Sequence, residues 1–147
     1  MDIQKTLLAF EAELLQAERY TPLEGWHLEL PNKAAVYAIW EDNVPVYVGE
    51  TSGLRNRMSD LSHPVNHTFA RKVASQLEAK DIKQLREHLR STYQVSFILV
   101  EFGRKEVEEF LILRWKKSLV NKPPKRLMNG NQYAWIDDFP AVHFINT

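Results

Sequence analysis

The chain has 147 residues, 44% of them hydrophobic, with 19 basic residues balancing 19 acidic ones and no cysteine. This is the composition of a soluble globular chain long enough to bury a core without disulfides or a structural metal. Zero cysteine excludes a Cys-ligated zinc site, a thiol nucleophile and an iron–sulfur cluster, and fits a reducing cytoplasm, the location expected here.

The first twenty residues read as an amphipathic helix, because Ile3, Leu7, Phe10 and Leu14 recur at helical spacing with Glu11, Glu13 and Glu18 off the stripe. If exposed, that stripe offers a surface for a homodimer or a partner protein. The acidic start has no secretory-leader pattern, and runs such as Phe97 to Val100 fall far short of the ~20 apolar residues that cross a bilayer. A connector with Pro22, Gly25 and Pro31 follows. Residues 34–40 and 44–49 then predict two strands of a hairpin, joined by a three-residue loop in which Asn43 takes the left-handed conformation. With that loop, Trp40 faces Val44, and Tyr37 stands directly opposite Tyr47 on one face of the sheet.

Ser52 is the expected cap of a short helix from Leu54 to Leu61, and Asn66 that of a helix from His67 to about Ala79. Asp81 with Gln84 has capping-box form and opens a helix to about Arg90, with Ile82, Leu85 and Leu89 inward. Tyr93 to Phe102 is the strongest strand pattern; Gly103 ends it, and Arg104 to Val120 predicts one long helix stopped by Pro123 and Pro124. Ala141 to Ile145 is a candidate short strand. The order predicts one α+β domain over 1–147 with a small antiparallel three-stranded sheet flanked by helices. Within it, 1–33 form the first helix and connector, 34–121 the core, and 122–147 a tail.

Neutral net charge argues at first against a nucleic-acid partner, but the charges are unevenly placed. Residues 1–50 hold three basic residues against nine acidic ones, and residues 51–147 hold 16 against 10. Arg114, Lys116, Lys117, Lys122, Lys125 and Arg126 crowd one stretch. Such asymmetry can build a basic face on a neutral protein.

The triplets Ala35-Val36-Tyr37 and Tyr47-Val48-Gly49, followed by Leu54-Arg55-Asn56-Arg57, resemble the signature of the GIY-YIG nuclease superfamily. The resemblance runs over about residues 34 to 121. It implies a Mg²⁺- or Mn²⁺-dependent endonuclease that hydrolyses phosphodiester bonds, of DNA more than RNA. Tyr37 and Tyr47 would position the attacking water, one of them as general base. Arg57 would stabilise the transition-state charge, and Glu109 would be the metal ligand, with Asn121 twelve residues later holding the metal helix or substrate loop. Glu106 and Glu108 compete with Glu109 but are expected on other faces of the helix. Ala35 stands where the family has glycine, and Leu61 where it often has histidine; His67 would supply that imidazole from the next helix, the alternative being a capping or packing role for His67. Glu50 follows Gly49 and is expected to pair with a nearby base. Arg55, Arg71, Lys72, Lys116 and Lys117 are candidate phosphate contacts, with Trp115 or Trp135 as exposed aromatics. The alternative is a catalytically weak or inactive module of the same fold that binds nucleic acid or protein.

Overall fold

Three antiparallel strands in the order β2-β1-β3 separate two layers of helices. The computed structural model describes residues 2–61, 63, 65–78, 81–123 and 132–144. In chain order these form α1 (Ile3–Gln16), a 3-10 turn (Trp26–Glu29), β1 (Ala35–Glu41), β2 (Val44–Thr51), α2 (Leu54–Asp60), α3 (Thr68–Leu77), α4 (Ile82–Thr92), β3 (Tyr93–Leu99), α5 (Arg104–Arg114) and a second 3-10 turn (Ala134–Asp138). The α+β class and the three-stranded antiparallel sheet agree with expectation. Among the described residues no helix is long and apolar enough to cross a membrane.

The central strand β1 is buried on both faces, so its side chains serve two cores by simple alternation. Val36, Ala38 and Trp40 join Val48 and Ile98 against Leu7 and Leu14 of α1 and Phe110 and Leu111 of α5. Ala35, Tyr37 and Ile39 join Tyr47 and Val95 on the other face, under Leu54 and Met58 of α2, Phe69 and Val73 of α3, and Leu85 and Leu89 of α4. The stripe of α1 is therefore spent inside the chain: Leu7 and Leu14 are buried and Phe10 packs against them, leaving Ile3 exposed. A dimer through that stripe finds no support.

Several local expectations change, each for a physical reason. The hairpin turns on two residues, Asp42 and Asn43, and it is Asp42 that takes positive φ (54°). A bulge after Ile39 absorbs the difference, so Trp40 pairs with Pro45 and Tyr37 with Gly49. The phenols lie diagonally on one face, not directly opposite. α2 starts at Gly53 without a side-chain cap of its own; instead Asn32 Oδ1 accepts the Asn56 amide at 3.3 Å. α3 is capped by His67, not Asn66, and Ile82 of α4 stays 39% exposed.

The largest change is at α5, which ends at Arg114 instead of Val120. Beyond it the chain follows the free edge of β2. Ser118 Oγ donates to the Pro45 carbonyl at 2.7 Å, the Val120 amide to the Val46 carbonyl at 2.7 Å, and Asn121 Nδ2 to the Val48 carbonyl at 2.7 Å. Edge carbonyls that would otherwise need water or another chain are thereby covered. β3 ends at Leu99, three residues early, and residues 141–144 form no strand; Lys125, Arg126 and Ile145 lie outside the described residues.

Candidate active site

Tyr37, Tyr47, Arg57 and His67 converge on the face of the sheet covered by α2 and α3. The hairpin positions the two phenols, whose ring centroids lie 6.2 Å apart. Tyr37 is 1% and Tyr47 9% exposed. The Tyr37 ring crosses directly over Gly49, so a β-carbon there would overlap the phenol Cζ and Oη. Glycine in the second triplet is thus a clearance requirement, not a turn requirement. Gly49→Ala is expected to cost about 1–3 kcal/mol from overpacking and to displace Tyr37, with stability read by urea denaturation.

His67 is fully buried between both phenols, and its Nε2 lies 2.9 Å from Tyr37 Oη. Its Nδ1 accepts the Phe69 amide at 3.1 Å, which caps α3 and fixes the tautomer: the ring proton is on Nε2 and is donated to Tyr37. Burial, helped by the Arg57 charge, lowers the His67 pKa to about 3, so the ring is neutral at pH 7. The His67 ring lies 6.1 Å from the Tyr37 ring and 5.6 Å from the Tyr47 ring, so the imidazole holds both phenols in place.

Burial raises both phenol pKa values, and the Arg57 guanidinium opposes this at each. At Tyr37 the near-complete burial is the larger cause of the rise, and the Tyr47 charge adds to it. Arg57 reaches the pair from α2 while its Nη1 donates to the Asn66 carbonyl at 2.8 Å and lies 3.6 Å from Asp60. His67 and Arg57 are thus tied to the same short segment before α3.

The carboxylate acting on both phenols is Glu108, not Glu109. Glu108 accepts the outward backbone amide of Glu50 on the β2 edge, and burial with the Glu50 charge raises its pKa to about 7. Glu109 is directed to the other layer, where Tyr133 Oη donates to it at 3.2 Å. The expectation that Glu108 points away fails because α5 buries Val107 and Phe110 to Ile112 in the layer with α1, which leaves Glu108 off that stripe and beside Glu50. Glu50 finds its base: Arg104 Nε lies 2.6 Å away. Asn121 braces the β2 edge, and its Oδ1 is buried without a hydrogen-bond partner among the described residues.

The candidate phosphate contacts are not brought into one surface. Arg71 and Lys72 lie exposed on α3, on the phenol side, donating to the carbonyls of Val65 and Val120. Arg55 donates to the Leu30 carbonyl from α2. Lys116 and Lys117 border a separate cavity with Ile136 and Phe144, beside the α1–α5 core. Trp115 is not an exposed aromatic but 2% exposed, donating to Glu11 at 3.0 Å, and Trp135 stacks on Phe110.

No single-residue pattern marks Glu108 in the sequence, since three glutamates share one helix turn. Among the described residues, no group of three or more His, Asp or Glu is placed to hold a metal ion. A lone carboxylate at the rim nonetheless fits a hard cation that keeps most of its ligands as water and substrate oxygens.

No protein-family model matches the chain, and no curated protein matches it. Among solved structures, it is similar to the GIY-YIG N-terminal endonuclease domain of UvrC from Thermotoga maritima, a point mutant bound to its catalytic divalent cation. The match is 18% identical, covers 74% of this chain and 90% of that one, and has a TM-score of 0.38.

Proposed function

We propose that the protein is a divalent-cation-dependent phosphodiesterase that cleaves nucleic acid, DNA in preference to RNA, at the Tyr37–Tyr47–Arg57 site. The observation that carries this reading is the convergence of two buried phenols and a buried imidazole, with ring centroids 5.6 to 6.2 Å apart and His67 Nε2 2.9 Å from Tyr37 Oη, beside the Arg57 guanidinium.

Phosphodiesters resist hydrolysis because their anionic oxygens repel the nucleophile and the leaving alkoxide is poor. Arg57 offers a planar fork to the non-bridging oxygens and stabilises the charge that grows on them. Tyr47, the less buried phenol, meets the attacking water and takes its proton. Tyr37, kept protonated by burial, stands beside Tyr47, and His67 holds it there through the 2.9 Å contact of Nε2 with Oη. Glu108 is the residue that would hold Mg²⁺ or Mn²⁺. A cation there would supply Lewis-acid polarisation and neutralise the leaving oxygen.

The test is cleavage of duplex and single-stranded DNA and of RNA with Mg²⁺ or Mn²⁺. Tyr47→Phe is expected to lower kcat by roughly 10³-fold and Tyr37→Phe by roughly 10²-fold, the general-base step outweighing its support. Wild-type protein that cuts none of these polymers with either cation would sink the proposal.

A further inference from the structure

α2 presents Arg57 to the phenols, while Met58 and Ser59 on the same helix border a second concavity. This cavity, about 440 Å³, lies between residues 22–27, the C-terminal half of α2, and α4. Its size is within the ~300–1,000 Å³ usual for small-ligand sites. Met58 and Leu89 give it an apolar floor, and the half-buried indole of Trp26 stands in its wall.

Lys83, Arg86 and Arg90 enter the cavity from α4 at spacings of three and four, which puts them on one helical face. All three are exposed, and none makes a salt bridge among the described residues. Glu24 and Glu87 also line the cavity, so the cations exceed the acids by one before His27 and His63 are counted. A flat apolar wall suits a ring system, and unpaired guanidinium and ammonium groups suit anionic oxygens. A nucleoside phosphate carries both in one covalent unit.

We propose that this cleft binds a nucleoside phosphate of a single strand, of which another phosphate, a few nucleotides along, lies at Arg57. An α-helix is only ~10 Å across, so a strand passing over α2 moves from one site to the other within a few nucleotides. The base stacks on Trp26, and Arg86 and Arg90 hold its phosphate. The strand assignment rests on the phosphodiesterase reading; occupancy of the cleft does not.

Isotope-labelled protein is titrated in EDTA with a thymidine octanucleotide, with dAMP and with inorganic phosphate, following the Trp26 indole N–H, assigned by Trp26→Phe. The octanucleotide is expected to shift that resonance and to bind at least about tenfold more tightly than dAMP, while phosphate alone leaves it unmoved. Arg86→Glu with Arg90→Glu, both exposed and tolerant of exchange, is expected to weaken the octanucleotide at least about tenfold at unchanged circular dichroism. An unmoved Trp26 signal, or equal binding by the charge-reversed variant, overturns the proposal. Equal affinity for dAMP and the octanucleotide overturns the strand assignment and leaves a mononucleotide site. Because cation is absent, binding without cleavage in a separate assay fails the phosphodiesterase reading alone, and cleavage without a Trp26 shift fails the cleft alone.

Discussion

Glu108→Gln is expected to abolish cation-dependent cleavage and, at the same time, to make the protein more stable. The carboxylate is half-buried beside Glu50, and its pKa is raised from 4.5 to about 7. The folded state therefore holds a proton that the unfolded chain has already released, and stability falls as pH rises from about 4.5 to about 7. Glutamine keeps the acceptor for the Glu50 amide and carries no charge. Its advantage over wild type is thus absent at pH 4, grows through that window and is complete above it. After discounting for partial solvent screening, the gain at pH 8 is about 1–2 kcal/mol, a few degrees in Tm.

The same substitution removes a carboxylate charge that acts on both phenols, and cleavage is expected to fall roughly 10³-fold. Glu109→Gln should retain most of the activity, since an amide can still accept the Tyr133 hydroxyl. Calorimetry at pH 4 and pH 8, with cleavage assayed for both variants, checks this. Full loss of cleavage in Glu109→Gln with retention in Glu108→Gln would reverse the assignment. In wild-type protein cleavage should rise with pH through about 7 as Glu108 loses its proton, and added Mg²⁺ should move that rise to lower pH by competing with the proton.

Arg114→Met is expected to give the largest loss of stability, about 3–5 kcal/mol, because it leaves a charge buried without its counter-charge. Arg114 Nε and Nη2 donate to the two oxygens of Glu11 at 2.9 and 2.8 Å, and both side chains are only 5% exposed. The Trp115 indole then remains as the neutral donor to Glu11. This ion pair joins residues 103 apart in the chain and docks α1 on α5. The double variant Glu11→Leu with Arg114→Met should recover much of the loss, since removing both charges removes the penalty. Urea denaturation of the two variants separates this from simple loss of packing.

The hairpin and its tyrosines were legible because strand alternation is a local property: residues two apart share a face whatever surrounds them. The α4 cap was legible for the same reason, with Asp81 Oδ1 accepting the Gln84 amide at 2.8 Å as the spacing requires. The pairing register was not, because one bulge residue and a two-residue turn replace a three-residue loop of nearly equal length. Nor was the end of α5, where carbonyls of a strand some seventy residues earlier compete with continued helix for Ser118, Val120 and Asn121.

The amino-acid sequence alone thus determined the α+β class, the order of elements, and the presence of two phenols and an arginine near one another. Only the tertiary structure decided which glutamate joins them, because Glu106, Glu108 and Glu109 share nearly one helix turn, and it sets Glu109 on Tyr133 and Glu108 beside Glu50. It likewise decided that His67 serves both as helix cap and as donor to Tyr37. Charge followed the same division: the excess of cations after residue 50 is readable from the chain. Their separation into the α3 surface, the α4 cleft and the far side of α5 is set by packing, because helix rotation distributes neighbours in sequence over different faces.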